Sequence, residues 1–313
     1  MSISNSNINK SEEYLRAANG EGQFYIRKSL VDEPKAVAVI LHDLISHGER
    51  YCDLTKSLNE NNIDVLIPDI VGFGMSKQGH PGAFAMKSKG IDYVIEDIEY
   101  VFNLYDEKYG RIPHILISDG KTNVIASLYV RTFDNIDAMV NLGCMQHFNV
   151  NSAMVAAAKS LVIMKGYHSV SNAIINMTEA PAFHGVEEAN KYYWLSSIDT
   201  EIERFINDVD CGIPIAASSY LDIFAAEKYT SKLKWLRDFP NIPILLMAGS
   251  DDIMGNYGKA AKDMMELLEE TNHDFLLLKI YSNCRHDLLH DRKSDEVIND
   301  LVSWINVALC DVI

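Results

Sequence analysis

Basic residues are scarce in this sequence: 28 Lys and Arg stand against 44 Asp and Glu, a net charge of −16. That balance opposes binding to phosphate backbones and to anionic headgroups, so nucleic acid is not an expected partner. Cysteines are few and unpatterned. The five of them, Cys52, Cys144, Cys211, Cys284 and Cys310, are odd in number and lack C-x-x-C spacing, which fits reduced thiols better than a disulfide framework or a zinc site. Long apolar runs are also missing, and no stretch reaches the ~18 residues of a transmembrane segment. Residues 1–13 are polar and rich in Ser and Asn, without the apolar core of a secretory signal or an anchor. A cytoplasmic location is therefore expected. Internal repeats and low-complexity segments are absent as well.

What is present is an ordinary globular composition, 48% hydrophobic and 23% charged over 313 residues, enough for one large domain with an insertion. After a start over residues 1–20 that reads as frayed, a first strand is expected at 22–28. Residues 36–41, Ala-Val-Ala-Val-Ile-Leu, form a short continuous apolar run of the kind found in central parallel strands. A helix at 51–60, a strand at 64–69, an amphipathic helix at 91–109 and strands around 115–117 and 136–142 continue the alternation. Strand and helix in turn predict a parallel, doubly wound sheet. From about 148 to 235 the pattern changes to helices, at 154–164, 170–177 and 198–209. Alternation resumes with a strand at 242–247, a helix at 259–270, a strand at 275–281 and a helix at 294–309. The expected organisation is an α/β core of residues 1–148 and 236–313 with a helical cap inserted at 149–235.

In such a sheet chemistry gathers at the C-terminal ends of the strands. Asp251 follows one strand end and His286 the next, and before both a strand turns sharply into a helix at Ser118-Asp119-Gly120-Lys121-Thr122. The order turn, acid, histidine is that of a nucleophile, an orienting carboxylate and a proton-exchanging imidazole. Gly72-Phe73-Gly74 lacks the G-x-G-x-x-G spacing and ribose-binding acid of a dinucleotide site. The spacing of His286 and His290 is not accompanied by H-E-x-x-H, so no metal is expected, and no cofactor.

Several motifs carry a resemblance. His42-Asp-Leu-Ile-Ser-His47-Gly-Glu-Arg50-Tyr51 matches His-Gly-x-x-x-His-x-x-Arg-Tyr except at Asp43, and Asp69-Ile-Val-Gly-Phe-Gly-Met-Ser76 matches Asp-x-x-Gly-x-Gly-x-Ser. Asp210-Cys-Gly, Gly249-Ser-Asp-Asp252 with Gly255-Asn-Tyr-Gly258, and Arg285-His286-Asp-Leu-Leu follow in order. From about residue 22 to the end the chain resembles the monoglyceride lipase and lysophospholipase-like α/β-hydrolases, also described as serine aminopeptidase S33-like. The resemblance implies an α/β-hydrolase fold, a small-molecule acyl ester or lipid-like ligand, and a Ser-His-Asp triad completed by Asp251 and His286. It also implies an oxyanion hole built from the backbone N–H groups of Leu44 and Lys121.

The departures fall where the chemistry would be. Pro113 on one side and Ala126 on the other fix the register and place Gly120 at the nucleophile serine. Ser118, Asp119 and Thr122 stand where the family has Gly, His and Gly. Without a hydroxyl at 120 the covalent route is lost while binding is retained. Asp43 adds a carboxylate beside a hole meant for negative charge, unless it turns to solvent or pairs with Lys121. The alternative is an active carboxylic ester hydrolase with a displaced nucleophile, Asp119 first and Ser118 or Cys144 after it.

Overall fold

The computed structural model describes residues 8–18, 20, 22–77, 79–85, 90–145, 152–172, 174, 191–230 and 232–310. Eight strands form one sheet: β1 (Asn9–Arg16), β2 (Gln23–Leu30), β3 (Ala36–Leu41), β4 (Ile63–Pro68), β5 (His114–Asp119), β6 (Ala138–Leu142), β7 (Ile244–Gly249) and β8 (Leu276–Tyr281). Their order is β1-β2-β4-β3-β5-β6-β7-β8. The pairs β3·β4, β3·β5, β5·β6, β6·β7 and β7·β8 are parallel, while β1·β2 and β2·β4 are antiparallel.

Every residue of β3, β4, β5, β6 and β7 is buried. Layers on both faces of the sheet explain why these strands are apolar throughout and do not alternate. On one face, α1 (Cys52–Glu60) and α9 (Ser294–Cys310) pack through Leu54, Leu58, Leu301 and Ile305. On the other lie α2 (Gly90–Tyr109) and α3 (Asn123–Phe133), through Val94, Ile98, Phe102, Ile125 and Tyr129, together with α8 (Lys259–Glu269).

Strand β1 was expected to be frayed chain. Its residues are mostly exposed, so no apolar face announces it. It is held by cross-strand contacts instead: Tyr14 sits edge-on to Tyr25 with ring centroids 5.0 Å apart, and Lys28 pairs with Glu13. Such pairs stabilise an antiparallel ribbon by fractions of a kcal/mol each.

Between β6 and β7 the described elements are helices: α4 (Ser152–Lys165), α5 (Asp199–Asn207), α6 (Ala217–Thr230) and α7 (Leu233–Leu236). Helix α6 was not expected. It is buried on several sides, through Ala217, Tyr220, Phe224 and Ala226, and so lacks the one-sided periodicity that marks a surface helix. Half of the helix expected at 170–177 falls outside the described residues. No described helix is long and apolar enough to cross a membrane.

Candidate active site

The site lies where β3, β5, β6, β7 and β8 end. His42, next after β3, is fully buried, and burial keeps its imidazole below the usual histidine range despite nearby Asp69. Its Nε2 accepts the Ile70 N–H at 3.0 Å, so the ring proton is on Nδ1 and is donated to the Asp43 carbonyl at 2.8 Å. A neutral imidazole thus clamps the loop after β3 to the loop after β4.

That clamp fixes Asp43. Its backbone N–H donates to Tyr51 Oη at 3.2 Å. Its side chain turns neither to solvent nor to the Lys121 ammonium: Oδ1 accepts the backbone N–H of Leu44 at 2.7 Å and that of Lys121 at 3.1 Å. These are the two amides expected to form the oxyanion hole. The carboxylate of Asp43 fills it.

The turn after β5 explains how the carboxylate fits. Gly120 has φ +56°, in the left-handed region, and a Cβ there would lie 2.6 Å from Asp43 Cγ and within 2.9 Å of both carboxylate oxygens. No side chain at 120 coexists with Asp43 in this position. The two departures from the family pattern are therefore one structural unit, since glycine vacates the volume that the carboxylate occupies.

The neighbouring departures brace this turn. Thr122 Oγ1 accepts the Asp119 N–H at 3.0 Å and lies 3.1 Å from the carbonyl of Leu41 on β3, while the Asp119 carboxylate caps the Thr122 N–H. Asp119 Oδ2 also accepts the Tyr51 hydroxyl at 2.8 Å. Burial, with Asp287 and Asp43 nearby, pushes the Asp119 carboxyl up to about 7. It is committed to holding the turn. Ser118 Oγ sits 2.7 and 2.9 Å from the side-chain oxygens of Asn123 and Asn141. Burial pushes the Cys144 thiol up to about 12, so neither alternative nucleophile is activated.

Asp251 does not orient His286. It is exposed, and the Ser250 hydroxyl donates to it at 2.7 Å. The next residue, Asp252, is fully buried, accepts the Met254 N–H at 2.9 Å and reaches His286 Nδ1 at 2.9 Å. Gly249-Ser250-Asp251-Asp252 offers two adjacent acids, and the backbone turn after β7 selects the second. Burial lowers the proton affinity of His286, but Asp252, Asp43 and Asp119 together outweigh it and raise the imidazole to about 9. Nε2 of His286 has no hydrogen-bond partner among the described residues and stands 3.9 Å from Asp43 Oδ2. A cavity of about 10 Å³, room for roughly one water, opens among Asp43, Tyr51, Asp119, His286, Asp287 and His290.

Sequence reasoning missed the ion pairs that Asp287 makes behind His286. Arg50 and His290 both bond Asp287, at 2.8 Å each. Burial would raise that carboxyl, yet the two cations hold it well below the usual range. The HxxRY part of the loop motif was the available signal. His47 Nε2 bonds Asp208 at 2.9 Å, and Lys77 pairs with Asp210, tying the loops to the chain beyond α5. His47, Asp208 and Cys211 place potential ligand atoms within 4.8 Å of one another. Arg50 bears on both Asp208 and Cys211, and its fixed charge opposes a cation there.

A parallel sheet extended by an antiparallel ribbon, with a strand-to-helix turn, an aspartate and a histidine at successive strand ends, defines an α/β-hydrolase. The sequence profile described as serine aminopeptidase, S33 matches residues 32–293, and the chain belongs to that family. No curated protein matches it. Among solved structures it is similar to a highly thermostable carboxyl esterase from Bacillus coagulans, at 21% identity and TM-score 0.88 over 97% of this chain and 100% of that one. It is also similar to the monoacylglycerol lipase of Paleococcus ferrophilus, at 21% identity and TM-score 0.71 over 91% and 99%. The monoglyceride lipase of Saccharomyces cerevisiae follows at 14% identity and TM-score 0.73, over 98% of each chain. At these identities the likeness is one of fold.

Proposed function

We propose that this chain has left serine-type acyl transfer and retains the site for a small ester-like or acyl-chain ligand admitted beneath a cap of residues 149–235. The observation that carries the reading is the Asp43 carboxylate in the backbone N–H pair of Leu44 and Lys121. Acyl transfer needs two things there: a hydroxyl on residue 120 and donors open to the oxygen that gains negative charge. Gly120 supplies no hydroxyl, and the donors already hold an anion. A second anion in the same place would meet direct repulsion. The ligand class rests on the esterase and lipases of like fold.

The test is hydrolysis of p-nitrophenyl esters of short and medium chain length. The purified protein is expected to match its His286→Ala variant. Turnover that disappears in that variant would show a working acyl-transfer site and end the proposal.

A further inference from the structure

A cavity of about 50 Å³ lies on the α3 side of the sheet, and it shares no lining residue with the small one beside Asp43 and His286. We propose that it is a binding site for a short-chain alcohol of about three or four heavy atoms. This is a second site, independent of the loss of acyl transfer and of the ligand proposed beneath the cap.

The cavity is bounded by α3, α8 and strands β6 and β7, and Trp235, Leu236 and Phe239 close it. Helix α7, which carries the first two of these, has only four residues, too few to lay a full apolar stripe over the space between α3 and α8. The aromatic wall is held from behind. The Arg131 guanidinium sits 5.0 Å from the centre of the Trp235 ring, Trp235 packs against Phe239 at 5.5 Å, and Phe239 packs against His273 at 5.9 Å. Rings fixed in this way do not move in to fill the space.

One wall residue is out of keeping with the rest. Thr230, the last residue of α6, lines the cavity and is 2% exposed, and its hydroxyl has no hydrogen-bond partner among the described residues. Threonines in helices can bond back to the carbonyl four residues earlier. Thr55 and Thr132 do so here, to Tyr51 and Leu128 at 2.8 and 2.7 Å. Thr230 makes no such bond. A buried hydroxyl without a partner is costly, so the group that fills this cavity must carry a polar atom.

The remaining lining sets the class of that group. Val124, Met139, Ile244, Met264 and Leu268 are apolar. Asn123 and Ser127 spend their donors inside the protein, on the carbonyls of Leu142 and Asn123. Cys144 is a neutral thiol, pushed up to about 12 by burial. No charged side chain lines the cavity, so a charged ligand would lose its hydration without compensation. The Thr230 hydroxyl can give a proton or take one, and an alcohol serves it in both directions, whereas a carbonyl can only accept. The alkyl chain of the alcohol then meets the apolar walls. A buried water needs about 10–15 Å³ and a cavity of about 150 Å³ admits benzene, which puts a three- or four-atom alcohol between the two.

The experiment labels the full-length protein with [methyl-¹³C]methionine and titrates it with 1-propanol. Met139 and Met264 on the cavity wall report binding, and the exposed Met75 is the control. The expected result is a saturable shift of both wall methyls with a millimolar Kd, as so few atoms support, with Met75 unmoved and no saturable shift from 1-hexanol. Thr230→Val keeps the shape and removes the hydroxyl, so it should bind 1-propanol about fivefold more weakly while xenon, which needs no hydrogen bond, still shifts both methyls. Its melting temperature should be no lower than that of the wild type, because an unpaired hydroxyl has been removed. Wild-type shifts that grow without saturation, or that are as large with 1-hexanol, would overturn the proposal without recourse to the variant. Equal 1-propanol affinity in Thr230→Val, no response to xenon, or a variant that melts well below the wild type would overturn it as well.

Discussion

Replacing Gly120 by Ala should show that residues 120 and 43 share one volume. Two costs add in the wild-type background. The backbone at φ +56° is unfavourable for a residue with a Cβ by about 1–2 kcal/mol. The new Cβ also lies 2.6–2.9 Å from three carboxylate atoms of Asp43, so the carboxylate must leave Leu44 N and Lys121 N. Losing or bending those two bonds to a charged acceptor costs about 2–3 kcal/mol more. Urea denaturation should therefore show a loss of roughly 3–5 kcal/mol. In an Asp43→Gly background the clash vanishes and only the backbone cost of about 1–2 kcal/mol remains. The cycle of four proteins should yield a coupling of about 2 kcal/mol or more, as expected for residues in contact. Equal losses in the two backgrounds would refute the shared volume.

Other outcomes follow from the same site. His286 is raised to about 9, so the stability it contributes is fully present below its unfolded value near 6.5 and is lost as pH rises through 9; denaturation series from pH 6 to 10 should fall less in His286→Gln, and an equal slope would contradict this. Arg50→Ala leaves the buried Asp287 with His290 alone and should destabilise by about 3 kcal/mol in urea. Thr122→Val removes the hydroxyl that accepts the Asp119 N–H and should cost about 1–2 kcal/mol, read by urea denaturation. A thiol reagent should label the exposed Cys52 and Cys310 rapidly, and the buried Cys144 and Cys284 only on unfolding. Rapid loss of the Cys144 thiol in the native protein would contradict its raised proton affinity.

The fold was legible wherever burial writes a run of apolar residues. Strands β3 to β7 are buried on both faces, and their sequences show it without ambiguity. Strand β1 was not, because an edge ribbon needs only cross-strand pairs, and its Glu12, Glu13 and Tyr14 read like a polar tail. Helix α6 was missed for the opposite reason. Helix α3 was found because only one stripe of it, Val124 to Val130, meets the sheet.

At the site, residue type was legible and direction was not. His286 was read from its place at a strand end, whereas Gly120, Lys121 and Leu44 came from the register of the family resemblance. The choice between Asp251 and Asp252 depends on a single peptide turn, and consecutive residues point to opposite sides, so pattern alone could not settle it. Asp43 is the sharper case. Three positions were open to its side chain, beside the hole, in solvent or on the Lys121 ammonium, and the first is the one observed. Physically the hole is the best place for it: two aligned N–H donors solvate a buried carboxylate better than a lone ammonium does. Once Asp43 takes those donors, Gly120 is the residue the packing demands, and a substitution that reads as a lost catalyst is also a steric requirement of the new anion.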